Sequence, residues 1–197
     1  AKLEVFRIET PGTTGYDNPL SRNRMEECAV ALQALQQALT PYDARRNTVR
    51  ELLSHNIAFL LANRDFDRFD RAVFIRSYAN PLTTAIEQLR RQLDFQGYHY
   101  NRLLRQDVFT LFDRGAFNAD AYSPFLDQEN KTAKAALGKA LFTEKAFAGN
   151  GSISCASCHH PQAAFSENLV KHGDISGNGF IDRNVPSLFN TALQPQQ

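Results

Sequence analysis

Cys155-Ala156-Ser157-Cys158-His159 is a C-x-x-C-H run, and its reading decides what the carboxy-terminal third of this chain can fold around. Two thiols three positions apart can add across the two vinyl groups of a haem, and the adjacent histidine then reaches the iron from one face. The run predicts covalently held haem c, fixed by Cys155 and Cys158, with His159 as the proximal iron ligand. A bare C-x-x-C also serves dithiol redox chemistry and zinc. The dithiol reading needs a βαβ setting, whereas Gly149-Asn150-Gly151-Ser152 before the run and His160-Pro161-Gln162 after it read as loop. A zinc site would want four ligands, and Cys155, Cys158, His160 and His172 are the set that could wrap one.

Working outward from the motif, residues 132–142 form a helical stripe with Leu137, Leu141 and Phe142 on one side and Gly138 permitting close approach. The remainder of this third is loop-rich, as a haem domain can be, because the cofactor supplies apolar core that side chains would otherwise provide. Residues 116–130 read as a linker, with Asn118, Asp120, Ser123, Pro124, Asp127 and Asn130 in it.

The amino-terminal part, residues 1–115, has a different character. From Ser21, a plausible N-cap, Met25, Cys28, Leu32, Leu35 and Leu39 recur at steps of three and four until Thr40-Pro41 stops the helix. Val49, Leu53, Ile57 and Leu60 make a second stripe. Asp65 can cap a third, with Phe66, Phe69, Val73 and Phe74, that ends before Asn80-Pro81. Leu82, Ile86, Leu89 and Leu93 make a fourth, and Tyr100, Leu103, Leu104, Val108 and Leu111 a fifth after Gly97. The expectation over residues 21–113 is an antiparallel helical bundle with short connections, so the whole chain is mainly α. Met25 and Cys28 read as core. His55 and His99 fall on separate helices without a metal-binding spacing, which makes them satisfied or exposed histidines.

The net charge of +1, from 22 basic and 21 acidic residues, predicts neither nucleic-acid nor membrane-surface binding. Arg45-Arg46 and Arg90-Arg91 sit beside acids in helical patterns and read as solvated faces. No apolar run approaches the ~18 residues of a transmembrane segment, and the first residues carry no signal-peptide core. Haem c is attached outside the cytoplasm, so the expected location is the periplasm or another extracytoplasmic space, with a targeting segment removed.

Four motifs in order carry a family resemblance: Leu137-Gly138-Lys139-Ala140-Leu141-Phe142, the stretch from Gly149 to His159, Ala164-Phe165-Ser166, and Arg183-Asn184-Val185-Pro186-Ser187-Leu188-Phe189-Asn190. Together they resemble the first haem domain of the bacterial dihaem cytochrome c peroxidases, whose superfamily includes the methylamine-utilisation dihaem enzymes. The amino-terminal helical half lies outside that resemblance. It would dock either a partner or the remaining domain.

The resemblance implies that residues 131–197 are a cytochrome c-type haem domain cut short on its carboxy-terminal side. A second haem c, and the family's pocket glutamine and glutamate, would lie beyond Gln197. It also implies two-electron reduction of hydrogen peroxide, with electrons from a small cytochrome c or cupredoxin, and makes Phe165 a wall of the haem pocket. A non-catalytic electron-transfer or haem-binding module is one alternative. Oxidation of a protein or organic partner is another.

The sixth iron position decides what such a haem can do. No methionine follows Cys155, so His/Met ligation is not expected from this segment. His172, thirteen residues after His159, sits where some relatives place a displaceable histidine, while others leave that face open. His160 reads as superficial. Asp174-Ile175-Ser176-Gly177-Asn178-Gly179-Phe180-Ile181-Asp182 has an EF-hand-like oxygen pattern, but Val185 stands where a bidentate glutamate should be, so a turn at the haem edge is expected in place of calcium.

Overall fold

The computed structural model describes residues 1–16, 20, 23–43, 47–97, 102–122, 131–174 and 178–194. Ser21, the Arg45-Arg46 pair, His99, Tyr100 and most of the expected linker lie outside them. The chain forms two units, Ala1–Phe117 and Asn118–Gln197. It is mainly α-helical, and among the described residues β structure is limited to isolated bridges.

In the first unit, α2 (Arg24–Leu39) and α3 (Thr48–Ala62) are the first two expected stripes. They form an antiparallel hairpin across the Thr40-Pro41 stop, packing Met25, Cys28 and Leu32 with Val49, Leu53 and Leu60. Met25 is fully buried, Cys28 is a buried thiol, and His55 is exposed.

The third and fourth stripes are not separated as expected. Asp70, rather than Asp65, caps α4 (Arg71–Phe74) by accepting the Val73 N–H at 2.9 Å. α4 continues through a π-helical segment, Ile75–Ala79, into α5 (Asn80–Gln92), so the helix runs past Pro81. Pro81 has no N–H and its ring crowds the preceding turn. A widened π turn immediately before it absorbs both defects without ending the helix. Phe59 on α3 then collects Phe69, Phe74 and Tyr78 at ring-centroid distances of 5.7, 5.9 and 4.3 Å.

Two further departures involve the edges of this unit. A helix absent from the sequence reading, α1 (Lys2–Arg7), leads into a π segment, Ile8–Gly12, that holds Pro11 and buries Glu9. The described part of the fifth stripe is not a helix. Residues 102–117 form an irregular strap whose Val108 and Ala116, with Leu104 and Leu111, pack on Phe6 of α1. Asp113 turns this strap, accepting the Phe109 N–H and the Thr110 hydroxyl, each at 2.7 Å. Such side-chain caps offer the backbone an alternative to helix. The apolar spacing is satisfied by packing on α1 instead.

The strap is tied down through one buried carboxylate. Glu87 accepts Lys2 at 2.7 Å, Arg90 at 2.9 Å and Arg91 at 2.9 Å, and Lys2 also donates to the carbonyls of Gln106 and Val108. Burial pushes the Glu87 carboxyl up, but the hydrogen bonds from Arg90, Lys2 and Arg91 outweigh it and hold the group at about 2.

Among the described residues, the second unit contains α6 (Lys131–Thr143) and three short 3-10 turns joined by loops. α6 has no buried residue, and it packs against the turn formed by Cys155–Ser157.

Candidate functional site

The motif cysteines begin on a 3-10 turn, Cys155–Ser157, bracketed by Ser154 and Ser157 as a reciprocal capping pair. The N–H groups of Cys158 and His159 both donate to the Cys155 carbonyl, at 3.3 and 3.0 Å. This winds the five motif residues into one turn. Cys155 is exposed, Cys158 is partly buried, and both are free thiols. Burial, followed by the negative charges of Glu167 and Cys155, pushes the Cys158 thiol up, so it keeps its proton at neutral pH.

His159 is oriented by the backbone. Its Nδ1 lies 2.8 Å from the Phe165 carbonyl oxygen. A carbonyl only accepts, so Nδ1 carries the hydrogen and Nε2 presents its lone pair. A metal-bound histidine characteristically has this outer partner, which fixes the ring and raises its basicity.

The acceptor is held out by a strained loop. Ala164 and Phe165 have φ of 58° and 55°, left-handed values that cost a non-glycine residue roughly 1–2 kcal/mol. Three hydrogen bonds offset that cost. Phe165 N–H donates to the His160 carbonyl at 2.8 Å, His160 N–H to the Ser166 carbonyl at 2.9 Å, and the Ser187 hydroxyl to the Ala164 carbonyl at 2.6 Å. The Ser166 hydroxyl donates to the Val185 carbonyl. The Phe165 ring meets Phe142 and Phe189 edge-on at 6.1 and 5.7 Å. Thus all four sequence motifs meet at the loop of Ala164 and Phe165, whose Phe165 carbonyl orients His159. His160 is exposed.

His172 comes back to the motif. Its Nδ1 is 2.7 Å from Glu167 Oε1 and its Nε2 is 3.4 Å from Cys158 Sγ. Glu167 is a buried residue that the sequence reading passed over; an acid in a loop without periodicity gives no signal of its own. Next to His172, Gly173 and Phe180 pair as an antiparallel bridge. There Asp174 N–H donates to the Gly179 carbonyl at 2.9 Å and Asp174 Oδ1 accepts the Asn178 N–H at 3.2 Å. Residues 175–177 of the EF-hand-like stretch lie outside the described ones. Among the described residues, no three His, Cys, Asp or Glu side chains gather as a metal site, which leaves the zinc set of Cys155, Cys158, His160 and His172 without support.

These residues fit a haem c. Two free thiols stand beside a histidine whose Nε2 is available, and Leu137, Leu141, Phe147 and Phe189 expose 59, 40, 73 and 58% of their surface. Apolar area of that kind suits the face of a macrocycle.

A family model for the di-haem cytochrome c peroxidases matches residues 132–197. This segment is similar to the di-haem cytochrome c peroxidase family. Curated relatives of the chain include the methylamine utilization protein MauG of Methylorubrum extorquens, 39% identical over 61 residues, and that of Paracoccus denitrificans, 41% identical over 70 residues. These matches cover 30% and 32% of this chain and 16% and 18% of the relatives. A cytochrome-c peroxidase of Pseudomonas sp. is 34% identical over 103 residues, 46% of this chain and 26% of that protein. The chain therefore spans only a minor part of the length of these relatives. No solved structure matches it. No helix among the described residues is long and apolar enough to cross a membrane.

Proposed function

We propose that this chain carries a haem c through Cys155, Cys158 and His159, and that it is part of an extracytoplasmic dihaem peroxidase-like oxidoreductase. The observation that carries the reading is His159, whose Nδ1–H···O=C bond to Phe165 leaves the Nε2 lone pair available to a metal beside two free thiols. Cys155 and Cys158 would fix the macrocycle by thioether bonds. The Phe165 carbonyl holds the imidazole and raises its basicity. The Phe165 ring, with Phe142 and Phe189, forms the apolar wall.

Haem c held in this way supplies the redox centre for two-electron reduction of hydrogen peroxide to water. The electrons come from a small cytochrome c or cupredoxin, by way of a second haem c in sequence beyond this chain. His172 is the residue proposed for the sixth iron position, backed by Glu167. A second reading, oxidation of a protein or organic partner, is favoured by the two relatives named for methylamine utilization.

Production in a host that matures haem c tests the proposal. The expected outcome is one covalent haem per chain, read by intact mass and by the pyridine haemochrome spectrum, and lost when Cys155 and Cys158 are both changed to serine. A mass equal to the bare polypeptide refutes it. With haem in place, peroxide-dependent oxidation of a reduced small cytochrome c should be slow for these 197 residues and fast for a chain extended through the second haem domain. Equal rates would exclude a requirement for that domain.

A further inference from the structure

The imidazole of His172 lies between two partners of opposite kind. At Nδ1 stands Glu167, a buried carboxylate that, ionised, can only accept, so a neutral His172 carries its hydrogen on Nδ1. At Nε2 stands the Cys158 sulfur, 3.4 Å away. With the ring lone pair facing it, the thiol is the donor: Cys158 S–H points to Nε2, and Nδ1–H points to Glu167. The backbone holds both ends of this chain in place. Asn184 donates its amide to the Glu167 carbonyl at 3.1 Å, Ile181 N–H donates to the His172 carbonyl at 2.8 Å, and His172 N–H donates to the Arg183 carbonyl at 3.4 Å. Segment 181–184 thus fixes the acid and the base in one register.

Covalent attachment changes one end only. When Cys158 adds to a haem vinyl group, the sulfur bonds to the vinyl carbon nearer the ring and its hydrogen passes to the terminal carbon. One S–H bond and one C–C π bond are exchanged for one S–C and one C–H bond, with no net electron transfer. The thioether sulfur that results has no hydrogen to donate. Nε2 then loses its partner, while Nδ1 stays anchored on Glu167. A thiol proton that occupies the imidazole before attachment is thereby removed by attachment itself.

We propose that Glu167 is a positioning residue for His172, and that bonding of Cys158 to haem releases Nε2 of His172 to coordinate the iron. This rests on the haem c reading and on His172 as the sixth ligand. It adds the residue that orients that ligand and the event that frees it.

Two measurements test it. In the haem-free chain, long-range proton–nitrogen spectra of the His172 ring should show Nδ1 protonated and Nε2 bare. Glu167→Ala should shift the ring toward the Nε2–H tautomer, and Glu167→Gln, whose side-chain oxygen can still accept from Nδ1, should restore the original form. In the haem-loaded protein, Glu167→Ala should weaken imidazole ligation by roughly 10- to 100-fold, the usual effect of removing an outer partner of a ligating histidine. The readout is a rise in ferric high-spin fraction at unchanged haem content.

Cys158→Ser and Cys158→Ala, each retaining haem through Cys155, separate release from mere attachment. The serine hydroxyl still donates to Nε2 and should keep the high-spin fraction up, whereas alanine should let His172 bind. Equal spin states in these two variants would overturn the release, and a wild-type tautomer in Glu167→Ala would overturn the positioning role. If His172→Ala leaves the iron spectrum unchanged, the ligand reading fails and the release with it. The tautomer measurement still decides the role of Glu167, and it does so even if no haem attaches.

Discussion

Glu9 lies in the π segment Ile8–Gly12 with its side chain in the interior of the first unit, and neither carboxyl oxygen has a hydrogen-bond partner among the described residues. Burial alone pushes its pKa from 4.5 to about 7, because a lone carboxylate is costly in the apolar interior. Its folded pKa is above the unfolded one, so the native state binds more protons between these values and stability falls as pH rises from 4.5 through about 7. A shift of this size corresponds to about 3 kcal/mol. Urea unfolding should show that decline, and Glu9→Gln should flatten it and make the protein more stable at pH 8. A slope unchanged in Glu9→Gln would assign it elsewhere. Glu87 has the opposite sign. Its pKa is held down at about 2, so its contribution is complete above pH 4.5 and is lost as pH falls toward 2. Glu87→Gln should therefore remove part of the acid sensitivity, at the cost of leaving Lys2, Arg90 and Arg91 without their shared acceptor.

At the scale of elements, α4 depends on Asp70, which accepts the Val73 N–H. Asp70→Ala should lower stability by about 1 kcal/mol, whereas Asp65→Ala, which loses hydrogen bonds from the N–H groups of Asp67 and Arg68 and a long, exposed ion pair with Arg68, should cost less. Equal costs in thermal unfolding would show that the cap is not the source. Sequence made α2, α3 and α6 legible because each carries an apolar stripe with helical period next to a usable stop. It misplaced the third helix because two acids five residues apart, Asp65 and Asp70, are equally good caps on paper. It broke that helix at Pro81 because a proline signals a stop, and a π turn that accommodates it leaves no mark in composition. Residues 102–117 had the right spacing and the wrong outcome, since Asp113 and Lys2 hold them in turns. In the segment proposed to hold haem the thiols and His159 are adjacent in sequence and could be read directly. The Phe165 carbonyl, being backbone, and the Glu167 carboxylate, set by the path of a loop, could not.

At the scale of the whole molecule the two units differ in how they are held. The first buries sixteen apolar residues in one cluster, whereas in the second only Val185 and Glu167 are buried among the described residues. Haem attachment should therefore matter unequally. In protein made without haem maturation, hydrogen exchange should be slow in α2, α3 and α5 and faster over residues 144–194. Haem loading should slow exchange around residues 155–172 and leave the first unit unaltered. Uniformly fast exchange without haem would show that the first unit needs the second. Val170 and Phe180, 90 and 74% exposed, lie in the same loop-rich stretch as the motif. A protease meeting the chain before its proposed cofactor would find these residues on open loops, and in the first unit a bundle that resists cleavage. The unfinished protein would be trimmed within the second unit, so loading the proposed cofactor would double as a licence for that unit to persist.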